Sequence, residues 1–121
     1  MSEAEDKPSF GWTDEELLAQ PLVYREDLFA GKVVLVSGGG SGLGKAIAYA
    51  FARLGATLVL CGRNPDRLAN AKSHIEALGM RCDTHQMTIR DPDSVNEMMK
   101  KVFEDHGNLD VLVNNAGGQF P

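Results

Sequence analysis

Between Gly38 and Gly44 the chain places five glycines in seven residues, with Ser41 and Leu43 among them. Glycine lets a backbone approach a ligand closely and take up positive φ. A helix beginning at such a turn aims free N–H groups and a partial positive charge at whatever fills it. The chemistry this serves is the holding of a phosphate or diphosphate. The plain alternative is a tight turn with no ligand, and the setting weighs against it. Four apolar residues, Val33 to Val36, precede the turn, and Leu43, Ile47, Ala50, Phe51 and Leu54 follow at helical spacing. A P-loop reading takes Gly39 to Gly44 and Lys45, then requires Ser or Thr to hold magnesium and finds Ala46. The strict Gly-x-Gly-x-x-Gly spacing occurs in no register here.

Other reactive residue types form no constellation. His74, His85 and His106 lack metal-ligand spacing, so no metal site is expected. Cys61 and Cys82 fall on two strands expected to be neighbours and read as buried free thiols. Met80, Met87, Met98 and Met99 read as core.

The elements that must position the turn follow from periodicity and punctuation. Strands are expected over 32–37, 57–61, 80–87 and 109–113. Asn64-Pro65 and Asp91-Pro92 each place a capping residue before proline at the first helical position. The helices they open carry apolar stripes, Leu68, Ala71, Ile75, Leu78 and Val95, Met98, Met99, Val102, Phe103. Gly55, Gly79 and Gly107 end the three main helices. Alternating strands and helices at this spacing give an α/β fold with a parallel sheet and right-handed crossovers. The expectation is a partial Rossmann fold, half of a doubly wound sheet in the order 3-2-1-4, with ligands bound beyond the carboxyl ends of the strands.

Charge divides the chain. Residues 1–30 hold eight acids and two bases, while the remaining 91 residues are nearly neutral. The expected organisation is an acidic N-terminal extension, 1–30, ahead of the nucleotide-binding part, 31–121. Thr13-Asp14-Glu15-Glu16 has capping-box form and predicts a short helix to Ala19, stopped by Pro21. The extension is expected to lie loosely on the surface. The 121 residues suffice for one domain, and a net charge of −5 argues against a nucleic-acid partner. No apolar run reaches membrane length, so no membrane partner is expected. Two cysteines and an acidic, non-apolar start fit a reducing compartment, with the cytoplasm the expectation and the peroxisome left open.

Ser37-Gly38-Gly39-Gly40-Ser41-Gly42-Leu43-Gly44 resembles the Thr-Gly-x-x-x-Gly-x-Gly fingerprint of the short-chain dehydrogenase/reductase family, with Ser37 for Thr. Asn114-Asn115-Ala116-Gly117 matches the family's Asn-Asn-Ala-Gly element. The resemblance implies that Gly38, Gly40, Ser41, Gly42 and Leu43 surround a dinucleotide's pyrophosphate and adjoining ribose. Gly44 would allow close helix–strand packing. Asn115, Ala116 and Gly117 would lie beside the cofactor, with Asn114 bracing the sheet. Thr88 and Ile89 would meet the adenine, Thr88 standing where the family has Asp. An NAD-type site carries an acid at the end of the second strand. Gly62 stands there instead, followed by Arg63, a planar cation suited to a 2′-phosphate. NADP(H) is therefore expected rather than NAD(H).

The family's proton donor is Tyr-x-x-x-Lys. Here Tyr24 is followed four residues on by Leu28, and Tyr49 by Arg53. Tyr49 reads as an ordinary packed tyrosine. The expectation is a fold truncated before the catalytic half, with no catalytic residue and no reductase activity in these 121 residues. The last segment, to Gly118-Gln119-Phe120-Pro121, is similar to that of the family's enoyl-CoA and 2,4-dienoyl-CoA reductases and citronellol-type dehydrogenases. It implies a small-molecule substrate, an acyl-CoA or a terpenoid alcohol, and a homo-oligomeric full-length parent. A non-catalytic dinucleotide-binding module or sensor is the alternative, and a P-loop protein the third reading.

Overall fold

The computed structural model describes residues 11–115. In chain order the elements are α1 (Asp14–Ala19), β1 (Val33–Ser37), α2 (Gly42–Arg53), β2 (Thr57–Gly62), α3 (Pro65–Ala77), β3 (Cys82–Gln86), α4 (Pro92–His106) and β4 (Val111–Asn114). The four strands form one sheet in the order β3-β2-β1-β4, all neighbours parallel. This is the expected half of a doubly wound sheet.

β1 is buried along its whole length because both faces of the sheet are covered. Val34, Val36, Leu58 and Leu60 turn toward α2 and α3, meeting Ala48, Tyr49, Ala52, Leu68, Ala71 and Ile75. Val33, Leu35, Val59 and Cys61 turn the other way and meet Met98 and Val102 of α4. The caps expected from Asn64 and Asp91 are present. Asn64 Oδ1 accepts from the N–H groups of Asp66 and Arg67 at 3.0 and 3.1 Å, and Asp91 Oδ1 from that of Asp93 at 3.1 Å. A cap contributes about 1 kcal/mol, whereas one fully buried Leu or Val contributes about 1.5–3 kcal/mol. The caps therefore set where the helices begin, and the two-sided core holds them.

All four strands differ at an end from those expected: β1 begins at Val33 rather than Lys32, β2 runs on to Gly62, β4 runs on to Asn114, and two differences are larger. β3 spans five residues rather than eight, omitting Met80, Arg81 and Met87. β4 begins at Val111 rather than Leu109. There the side chain of Asp110 takes over, its Oδ2 accepting from Val33 N–H at 2.8 Å while its own N–H donates to Val33 O at 2.9 Å.

The acidic arm is the larger correction. It does not lie loosely. The capping box forms as expected, with Thr13 Oγ1 accepting from Glu16 N–H at 3.1 Å and Glu16 Oε1 from Thr13 N–H at 2.9 Å. Leu17, Leu18 and Phe29 pack against the α2–α3 side of the core. Phe29 meets Phe51 edge-on, with ring centres 4.9 Å apart. Arg53 donates to the carbonyls of Leu17 and Gln20. Asp14 accepts from the Tyr49 hydroxyl at 3.1 Å and from Asn70 Nδ2 at 3.2 Å, and pairs with Lys45 Nζ at 2.7 Å. Burial works against ionising Asp14, but the hydrogen bonds from Lys45, Asn70 and Tyr49 outweigh it and hold its carboxyl below the usual carboxylate range.

A folded-state pKa below the unfolded one gives stability that is complete above the ordinary value of about 3.9 and lost as pH falls through the lowered one. Asp83 is shifted the same way: burial opposes ionisation, and Arg81 and His106 override it. The expected result is a melting temperature that drops in acid more steeply for the wild type than for Asp14→Asn. Parallel curves through that window would show that Asp14 does not hold the arm.

Candidate functional site

The turn leaves β1 at Gly38, whose φ of +68° needs glycine, and whose N–H donates to Cys61 O at 2.8 Å. Gly42, the first residue of α2, has φ +58°. A Cβ on Gly44 would lie 2.8 Å from the Gly38 carbonyl carbon and 2.6 Å from Asn115 Nδ2. The first turn of α2 therefore sits directly on the glycine turn, the close packing expected of Gly44. The turn also meets α3, since a Cβ on Gly40 would stand 3.2 Å from backbone atoms of Arg67 and Leu68. Thr13, Asn64 and Asp91 cap α1, α3 and α4 with their side chains, but Ser41 makes no such bond at the start of α2. Among the described helix starts, α2 is therefore the one whose leading N–H groups receive no acceptor from their N-cap side chain.

A cleft of about 500 Å³ lies beyond the carboxyl ends of β1, β2 and β3. Gly38, Gly40 and Ser41 form one wall. Cys61, Gly62, Arg63 and Asn64 continue from β2, Arg67 and Leu68 come from α3, and Met87 to Arg90 follow β3. Gln86 Nε2 donates to Arg63 O at 3.4 Å, tying the ends of β2 and β3 together. Thr88 Oγ1 accepts from Arg90 N–H at 3.2 Å and shapes the last wall. Among the described residues the lining includes three arginines, Arg63, Arg67 and Arg90, and no Asp or Glu. A concave site with that charge suits a multiply phosphorylated ligand.

Of the residues named from sequence, Gly38, Gly40, Ser41, Arg63, Thr88 and Ile89 line this cleft together. Gly42 and Leu43 do not; both are exposed at the start of α2, Leu43 at 68%. Asn115 lies past β4, its N–H donating to Ser37 Oγ at 2.9 Å and its side chain against Gly44. Asn114 pairs with Ser37 in the β1–β4 register. Ala116 and Gly117 lie outside the described residues, as do Gln119 and Phe120. Arg67 and Arg90 join the cleft lining without a motif that marks them in the sequence. The available signal was the spacing Arg63-x-x-x-Arg67 across a helix cap, which returns the second cation to the mouth of the first. Arg90 directly follows two residues already placed at the site.

Tyr49 is absent from the cleft lining. It is 1% exposed and its hydroxyl is committed to Asp14, as expected of a packed tyrosine. Burial, with Asp14 beside it, pushes its pKa up. Cys61 and Cys82 are free and buried. Burial raises both thiols, Cys82 to about 12, so neither is a nucleophile near neutrality. Among the described residues no cluster of His, Cys, Asp or Glu is suited to a metal ion, and no helix is long and apolar enough to cross a membrane.

The family model described as short chain dehydrogenase matches residues 32–121. A probable 2,4-dienoyl-CoA reductase of Caenorhabditis elegans is 43% identical over 100 residues, covering 81% of this chain and 32% of that protein. Among solved structures, a citronellol catabolism dehydrogenase of Pseudomonas aeruginosa PAO1 superposes with a TM-score of 0.76 at 35% identity, covering 80% of this chain and 41% of the other. A metagenomic short-chain oxidoreductase in complex with NADP gives 0.72 at 36% identity, covering 74% and 41%. The chain spans about a third of the length of the curated relatives it matches first. With the sheet order, the glycine turn at its carboxyl edge and these matches in agreement, the chain belongs to the short-chain dehydrogenase family.

Proposed function

We propose that residues 31–121 form the NADP(H)-binding part of a short-chain oxidoreductase whose substrate is an enoyl-CoA-type compound or an alcohol/carbonyl pair. The observation that carries this reading is the cleft whose described lining includes Arg63, Arg67 and Arg90 and no Asp or Glu. A 2′-hydroxyl is recognised by an acid at the end of the second strand, whereas a 2′-phosphate needs a cation there. Gly62 leaves room, and Arg63 supplies the planar, paired donors. In this reading Gly38, Gly40, Ser41, Gly42 and Leu43 surround the pyrophosphate and its adjoining ribose. Thr88 and Ile89 border the adenine, and Asn115, Ala116 and Gly117 flank the nicotinamide end.

The bound nucleotide supplies hydride. A proton must come from a positioned side chain, and no Tyr-x-x-x-Lys element occurs in these 121 residues. Tyr49, sealed against Asp14, does not fill that role. These residues therefore bind the cofactor and set its orientation, and do not complete the reaction. The enoyl-CoA and alcohol substrate classes rest on the similarity to the reductase and dehydrogenase described above.

A calorimetric titration of the 121-residue chain tests this. NADPH is expected to bind at least about tenfold more tightly than NADH, a difference of about 1.4 kcal/mol. Binding is expected to be indifferent to magnesium chelation, as a P-loop site would not be. NADH binding as tightly as NADPH would overturn the cofactor assignment. Binding of neither would overturn the nucleotide reading.

A further inference from the structure

We infer that Asp14, in the N-terminal arm, is a positioning residue for the nucleotide cleft: it clamps α2 to α3 across the helices that carry the glycine turn and Arg67. The inference rests on the NADP(H) reading of the cleft and adds an arm that none of the cleft-lining residues belongs to.

Asp14 reaches both helices close to where they meet the cleft. Its Oδ1 pairs with Lys45 Nζ at 2.7 Å, and Lys45 directly follows Gly44 in the first turn of α2. Its Oδ2 accepts from Asn70 Nδ2 at 3.2 Å, one turn beyond Arg67 on α3. The side chain is 17% exposed and that of Lys45 21%, so solvent screens this pair far less than an exposed one. The N-terminal ends of these two helices meet at the turn, where a Cβ on Gly40 would stand 3.2 Å from the Arg67 backbone. α2 and α3 share the core beneath Val34, Val36, Leu58 and Leu60 and meet through the rings of Tyr49 and His74, 5.9 Å apart. To this shared packing the arm adds the Asp14 bridge, which ties the N-terminal half of α3, with Arg67, to the first turn of α2. His74 Nε2, on the next turn of α3, lies 3.9 Å from Asp14 Oδ2 and 3.6 Å from Glu15 Oε2. Arg53 and the packing of Leu17 and Leu18 hold the arm's far end, so the bridge is presented on a fixed element.

If the arm positions the cleft, the coupling is reciprocal: nucleotide must stabilise the docked arm as much as the docked arm favours nucleotide. Two readouts on the 121-residue chain test this. NADPH affinity is measured calorimetrically for wild type, Asp14→Asn and Asn70→Ala, and amide exchange over residues 13–20 is followed with and without NADPH. Asn70 is exposed and alanine favours helix, so Asn70→Ala remains folded even if Asp14→Asn does not. The expected result is a five- to tenfold loss of NADPH affinity in Asn70→Ala, the range of about 1 kcal/mol of coupling. Exchange in the arm slows on adding NADPH to wild type and loses that response in the variant. Unchanged or tighter NADPH binding by Asn70→Ala, or arm exchange indifferent to NADPH in a wild type that binds it, overturns the clamp and leaves the cofactor reading standing. A wild type that binds no NADPH overturns the cofactor reading, and the clamp with it.

Discussion

Arg63→Asp is expected to weaken NADPH binding about a hundredfold while changing NADH binding by less than about threefold. A hydrogen bond to a charged partner is worth about 1.5–3 kcal/mol, and tenfold in affinity corresponds to about 1.4 kcal/mol. Loss of one paired contact plus the repulsion of a new carboxylate reaches roughly 3 kcal/mol. Arg67 and Arg90 remain in the cleft, so binding is reduced and not abolished. NADH has no 2′-phosphate to lose, and aspartate at this place offers its 2′-hydroxyl an acceptor. Arg63→Lys is expected to fall between, because an ammonium keeps the charge and loses the fork. Equal losses for the two nucleotides would remove Arg63 from the 2′ position.

Gly44→Ala is the second large effect. The added methyl would stand 2.8 Å from the carbonyl carbon of Gly38, which is backbone and cannot rotate aside. Gly38 is itself held by its N–H bond to Cys61 O and by a φ of +68°. Either α2 lifts off the turn or the turn is displaced from β2. Overpacking of this kind costs about 1–3 kcal/mol, and occasionally more. For a domain of this size that lowers the melting temperature by roughly 5–20 °C. Nucleotide affinity falls with it, since the displaced atoms are the ones that face the cleft. Gly42→Ala is a useful contrast. Nothing lies within 4 Å of its Cβ position, so only the strain of φ +58° is paid, about 1–2 kcal/mol. Gly44→Ala melting within about 2 °C of wild type would show that the turn yields more readily than its geometry implies.

The strands and helices are legible because their signals are local, and their alternation implies the order of a doubly wound sheet. Val33 to Val36 form an unbroken apolar run, as suits a strand covered on both faces. Asn64-Pro65 and Asp91-Pro92 carry their capping chemistry in adjacent residues. The glycine turn was legible for the same reason. What the sequence hid depends on side chains distant along the chain. Thr13 and Glu16 announce a helix, but nothing near them announces that Asp14 will find Tyr49, Lys45 and Asn70, thirty-one to fifty-six positions on. An acidic, proline-stopped segment looks solvated until its partners are in place. Arg67 and Arg90 were hidden similarly, since exposed arginines are common and only the convergence of three strand ends brings these two beside Arg63. β4 starts later than its periodicity implies because Asp110 bonds to Val33 through its side chain, a contact that periodicity does not register.

The central place of β1 bears on how the chain emerges from the ribosome. β2 arrives soon after β1, but Asp110, which accepts from Val33 N–H, follows 77 positions later. At synthesis rates of about 5–20 residues per second, one flank of β1 waits some 4–15 s for its partner. Throughout that interval the nascent sheet presents an unsaturated edge of valine and leucine to its surroundings, a stretch in which a chaperone or a neighbouring polysome is the competitor for β4.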